Sequence, residues 1–228
     1  MNATKEASTD VQTIEEAYKD FILNETHPCI MAKALFKMEK YHLKVYDDMH
    51  DVSVLKDLVS DIGQYLKQYD FESNDFESFI AVFPNDHFSD EISFQNSLWE
   101  TLQKLHELDD CAWDQSVSSD PDDPQFSFSI GGRAFYIVGL HPESSRMARQ
   151  APHTTLVFNL HWQFEKLREM GTYHAVRNTI RQNDEALQGN INPVLKDYGA
   201  DTETKQYSGR EVEKYWKCPF HHKTNKIL

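Results

Sequence analysis

The feature that most limits the possible folds lies just past the middle of the chain: Phe126-Ser-Phe-Ser-Ile130, then Gly131-Gly132, then Arg133-Ala-Phe-Tyr-Ile-Val-Gly-Leu140. The first run alternates apolar with polar residues, the glycine pair supplies the positive φ of a tight turn, and the second run returns as a buried strand. A β-hairpin of this kind cannot stand alone and needs helices to cover it. The chain provides them. Asp10 to Leu23 carries Val11, Ile14, Ala17, Tyr18, Phe21 and Ile22 at helical spacing. Pro28 opens a second helix with Ile30, Met31, Ala34, Leu35 and Met38 on one side. Val54 to Tyr69 and Ser89 to Leu108 repeat the pattern, and between them Phe79 to Phe83 reads as a short buried strand closed by Pro84-Asn85-Asp86.

After the hairpin, Thr154 to Leu160 predicts a further strand that runs into a helix over Trp162 to Arg168, ended by Gly171. Tyr173 to Leu187 predicts another, closed by Gly189-Asn190, and the tail from Asn192 to Phe220 is broken into short pieces by Pro193, Gly199 and Gly209. The acidic segment Val117 to Pro124 has two prolines and no periodicity, so it reads as a loop. It is not read as a domain boundary, because the helices before it need a sheet and the strands after it need helices. The expected architecture is α+β, a mainly antiparallel sheet flanked by helices, in a single domain over residues 10–220. A flexible N-terminus over 1–9 and a C-terminal tail over 221–228 complete the expected organisation; 228 residues suffice for one such core.

Charge is divided unevenly. Residues 1–125 hold 27 acidic and 9 basic side chains, whereas residues 126–228 hold 10 and 14, and all seven arginines lie in the second part. A net charge of −14 argues against a nucleic-acid clamp or a protein drawn to anionic lipid by its overall field. The arginine group points to an anionic ligand in the C-terminal part, since guanidinium forks suit carboxylates and phosphates; each arginine singly is equally explained by a surface ion pair. The longest uncharged apolar run is Ala134 to Leu140, far short of the roughly 20 residues of a spanning helix. The first residues lack the apolar stretch of a signal peptide, so a cytoplasmic protein is expected. Cys29, Cys111 and Cys218 are widely spaced and form no CxxC, which suggests neither a disulfide scaffold nor a structural zinc site.

There is no P-loop, GxGxxG, HExxH or GxSxG, which leaves nucleotide-driven, zincin and ordinary hydrolase chemistry without a motif. Histidine remains. His141-Pro142 stands at the end of the hairpin strand, where an imidazole is fixed well enough to ligate a metal or haem iron, and equally where a strand ends in a solvated turn. Arg146 and Arg149 follow, three apart. His161 holds the equivalent place on the next strand, at a helix N-terminus, as a ligand, a distal hydrogen bonder or a cap-region residue. His27-Pro28-Cys29 begins a helix and closes the same pocket or merely caps that helix.

At these residues the sequence is similar to the YqcI/YcgG family, from His27 to Phe220. The stretches that carry the resemblance are His27-Pro-Cys-Ile-Met-Ala-Lys33, Gly139-Leu-His-Pro-Glu-Ser-Ser-Arg146 with Arg149, Val157-Phe-Asn-Leu-His-Trp-Gln-Phe-Glu165, Gln188-Gly-Asn-Ile-Asn-Pro193, Asp197-Tyr-Gly199, Gln206-Tyr-Ser-Gly-Arg210 and Trp216-Lys-Cys-Pro-Phe220. The resemblance implies a haem-dependent oxygenase that N-hydroxylates a guanidine, L-arginine or a related guanidino compound, with haem b, O2 and electrons from an unidentified donor. It implies His141 as the axial iron ligand, with His161 and then Cys218 as alternatives. Arg146 and Arg149 would hold the haem propionates, and Ser145, Tyr207, Ser208 and Arg210 would complete that site or grip a substrate carboxylate. Asn159 or His161 would donate distal hydrogen bonds, and Glu143 or Glu165 would pair with the guanidinium. Two readings of other classes stand beside it: a haem sensor or carrier without turnover, and a partner-binding adaptor with an acidic helical face.

Overall fold

The parallel and antiparallel pairings follow from which strands are joined by a helix and which by a turn. In the computed structural model, which describes residues 3–73 and 75–223, five strands form one sheet in the order β1-β2-β5-β4-β3. Strands β1 (Tyr41–Val45) and β2 (Ser78–Phe83) are linked by helix α3 (Val52–Gln68) and run parallel, as a helical crossover requires. Strands β3 (Phe128–Ile130), β4 (Arg133–Leu140) and β5 (Thr154–Leu160) add antiparallel pairs, with Ser129 opposite Ala134, Val138 opposite Val157, and Ala81 opposite Leu156. At the hairpin, Gly131 and Gly132 adopt φ of 62° and 74°, the region that side chains avoid. The fold is the expected single α+β domain with a mainly antiparallel sheet.

Each face of the sheet has its own helical cover. Phe79, Ala81, Phe83, Ile137, Leu156 and Phe158 pack against Leu55, Leu58 and Ile62 of α3 and against α4 (Glu91–Leu108), whose Phe94, Leu98, Leu102 and Leu105 are fully buried. Burial of each such side chain stabilises by about 1.5–3 kcal/mol. Contact on this side is close enough to need Gly139: a Cβ there would lie 2.5 Å from Leu98 Cδ1 and 2.8 Å from Phe94 Cζ. On the other face Ile80, Val82, Val138, Leu140 and Val157 meet Ile14, Tyr18 and Ile22 of α1 (Ala3–Leu23) and Phe36 of α2 (Ile30–Lys37). Helices α5 (His161–Glu169) and α6 (Tyr173–Gln188) stand beside this second face.

Several boundaries move for identifiable reasons. Asp51 caps α3 through Ser53 N at 2.6 Å, and Asp90 caps α4 through Ser93 N at 2.8 Å, so these helices start at Val52 and Glu91. Helix α1 begins at Ala3 rather than Asp10, while residues 1–2 of the expected flexible start and 224–228 of the expected tail lie outside the described residues. Strand β1 is an element the sequence reading omits. Phe126 sits just outside β3 and instead bridges to Ser118, which ties the acidic loop to the hairpin. Among the described residues, no helix is long and apolar enough to cross a membrane.

Candidate functional site

The second face of the sheet is incompletely filled. Between it, α1–α2, α5–α6 and the tail lies a cavity of about 370 Å³ with a mostly apolar wall. Strand parity decides what enters it. Thr155, Val157 and Asn159 alternate with the core residues Leu156, Phe158 and Leu160, and His161 continues that alternation, so Val157, Asn159 and His161 line the cavity. Helix α6 contributes Tyr173, Val176, Arg177, Ile180, Arg181 and Asp184, a single helical stripe that carries charge where an ordinary buried stripe is apolar.

His161 is the focus of this wall. Its side chain is buried, and its Nε2 lies 3.2 Å from Glu165 Oε1, one helical turn along α5. Glu165 in turn pairs with Arg168. Burial pushes the imidazole pKa down, against the opposing pull of Glu165, so the neutral ring is favoured. A neutral imidazole that donates Nε2–H to a carboxylate leaves a lone pair on Nδ1, and His161 Nδ1 is buried with no hydrogen-bond partner among the described residues. The ring of Tyr198 packs 4.5 Å from it. His27 lines the cavity from the α2 side; burial pushes its pKa down to about 4, and its Nδ1 accepts from Cys29 N at 3.3 Å. Cys29 caps α2 through Ala32 N, and burial pushes its thiol pKa up.

The remaining candidate residues separate sharply. His141 does not line the cavity. It follows the parity of Ile137 and Gly139 and stacks on Phe94 of α4 at 4.3 Å, on the opposite face of the sheet, with both ring nitrogens buried and unpartnered among the described residues. Arg146 and Arg149 do line the cavity, yet both are engaged. Arg146 pairs with Asp184 at 2.5 Å and donates to Asn190, while Arg149 donates to the carbonyls of Gly139, Gln206 and Tyr207. Arg146 ties the end of α6 to the segment after β4, and Arg149 ties the tail to β4, rather than the two sharing one anion. Asn159 accepts from Ser78 Oγ at 2.7 Å and donates to the Tyr136 carbonyl, so its amide is committed to the sheet.

Ser145 lies outside the cavity lining, with its N and Oγ donating to Glu91 Oε1. Arg210 is also outside it and joins Gln95 to Glu213, and Tyr207 is buried behind the wall against Trp99. Glu143 is exposed, and Glu165 touches His161 without lining the cavity itself. Cys218 lies apart from the cavity, and burial pushes its thiol pKa up to about 12.

Sequence reasoning missed Tyr136 and Glu203 and singled out Arg177 and Arg181 only as members of the arginine group; all four line the cavity. The charged members of the α6 stripe were open to recognition from their spacing; Glu203 was not, since the tail that carries it has no period. Arg177 and Arg181 share Asp197, and Arg181 commits only one donor nitrogen to it, so the pair retains N–H donors for an anion.

The YqcI/YcgG family pattern matches residues 18–221 of the chain. The uncharacterised protein YcgG of Bacillus subtilis (strain 168) is 26% identical over 212 residues, covering 88% of this chain and 83% of its own. The uncharacterised protein YqcI of the same organism is 25% identical over 208 residues, covering 85% and 80%. No solved structure matches the chain.

Proposed function

The chain belongs to the YqcI/YcgG family, and from that premise we propose that its cavity holds haem b and that the protein is a haem-dependent oxygenase that hydroxylates a nitrogen of a guanidino compound. The observation that carries the proposal is His161: a buried imidazole in an apolar cavity, held at one nitrogen by Glu165 and left without a partner among the described residues at the other. A carboxylate on the far nitrogen fixes the tautomer and raises the basicity of a ligating histidine. Within the proposal, therefore, His161 is the iron ligand in preference to His141, which faces α4. The donor set fits the group: Ile80, Val138 and Val157 offer an apolar floor, and Arg177 and Arg181 offer N–H donors for propionates.

When bound, haem supplies the reductive activation of O2 and the transfer of oxygen to nitrogen. The chain does the rest. Glu165 holds the Nε2 proton of His161, Arg168 pairs with Glu165 and fixes its position, and the apolar wall limits water around the reacting group. Asn159, tied to Ser78 and Tyr136, shapes the floor. The proposal also includes a cytoplasmic setting and a separate electron donor. Incubation of the haem-loaded protein with L-arginine, O2 and a reductant tests it, and mass spectrometry should show a product one oxygen heavier. Stoichiometric haem without any hydroxylated guanidine would leave the sensor or carrier reading instead.

A further inference from the structure

Among the described residues two carboxyl groups line the cavity, Asp184 and Glu203. Asp184 is satisfied by Arg146 at 2.5 Å and by Asn192 N. Among the described residues Glu203 has no cation beside it, only the hydroxyls of Tyr207 and Ser127. It opens a 3-10 turn (Glu203–Gln206) in the tail, and the tail is fixed by bonds to the acidic loop: Thr202 Oγ1 to the Pro121 carbonyl at 2.7 Å and Tyr198 OH to the Gln125 carbonyl at 2.7 Å. The residue is only 5% exposed, and its carboxylate accepts from Tyr207 OH at 3.2 Å. Among the described residues, no lysine, arginine or histidine lies within ion-pair distance of it.

A buried carboxyl without a cation is costly, and a cavity that offers one is incomplete until a positive group arrives. Arg168, the cation that faces it from α5, is engaged by Glu165. The rings of Tyr136 and Tyr198 line the same space and suit a flat or compact cation. We propose that Glu203 is the specificity-determining carboxylate of the cavity, which pairs with the ammonium or guanidinium group at the side-chain end of a cationic ligand. This deepens the functional reading above and rests on it for the place of the substrate, but the binding it describes needs no turnover.

The charged and titratable groups that face Glu203 are Arg168 and Glu165 of α5, Tyr136 of β4, and Tyr198 and Tyr207 of the tail, with the Ser127 hydroxyl beside them. Burial outweighs them and pushes its pKa up to about 8, so at neutral pH the empty site holds a proton that a cation displaces to solvent.

Isothermal titration of the purified full-length protein, with haem content read from the same sample, tests this with L-arginine, agmatine and L-lysine as cations and L-citrulline as the neutral isostere. Wild type should bind at least one cation, at least about tenfold more tightly than citrulline, with proton release shown by enthalpies that differ between buffers. Glu203→Gln should lose at least about tenfold in cation affinity and the proton release, keep its haem content and melt no lower than wild type, while Glu203→Asp recovers part of the affinity. Equal cation binding by wild type and E203Q, equal binding of arginine and citrulline, or no binding of any cation by wild type would each overturn the assignment. Haem content and product formation report separately on the functional reading.

Discussion

At His161 the chemistry turns on one proton. Glu165 sits 3.2 Å from Nε2 and anchors it, while Nδ1 has no hydrogen-bond partner among the described residues. Glu165→Gln keeps the shape and removes the charge, so the imidazole becomes a weaker donor to iron. The expected outcome is a fall of about 10–100-fold in haem affinity, measured by transfer to an excess of a haem-scavenging protein. The iron potential should rise as well, a readout that a purely structural glutamate would leave in place. The same scale explains what the sequence hid. The alternation of β5 made the inward direction of Asn159 and His161 readable. No alternation marks Ala134 to Leu140, which is apolar on both faces, so nothing local announced that His141 turns toward Phe94. The partners of Arg149 lie as much as 58 residues away, at Tyr207, beyond the reach of any local pattern.

Among the elements, legibility tracked how much of each was determined by its own residues. Helices with caps and strands bounded by glycine were readable to within a few residues: β4 falls at Arg133–Leu140 as expected, and Gly189 with φ of 84° closes α6. Strand β1 alternates Tyr41, Leu43 and Val45 with His42 and Lys44, but it is a short edge strand whose parallel pairing to β2 is set by α3. The contact of β4 with α4 gives a sharp expectation. Gly139→Ala puts a methyl against Leu98 and Phe94, both fully buried, and should destabilise the fold by about 1–3 kcal/mol in urea unfolding. A haem-loaded G139A protein that still folds should keep the wild-type spectrum, because this contact lies on the face opposite the cavity.

For the molecule as a whole, buried neutral histidines set the response to acid. In the unfolded chain His27 takes up a proton near pH 6.5, but in the folded chain it does so only near pH 4. Between these values the unfolded state binds more protons, so stability falls as the pH is lowered through that window. His27 accounts for up to about 3 kcal/mol of the loss, and the lowered pKa values of His141 and His161 act in the same direction. Urea unfolding from pH 7 to pH 4 should show this slope, and His27→Asn should flatten it. The central claim, that the cavity holds haem through His161, is met most directly by absorption spectra of protein from haem-supplemented cells, oxidised, reduced, and reduced under CO. Wild type and His141→Ala should carry stoichiometric haem with an imidazole-type spectrum, and His161→Ala should lose the haem or that spectrum. A wild type without specific haem, or a His161→Ala protein with unchanged haem content and spectrum, would contradict the account.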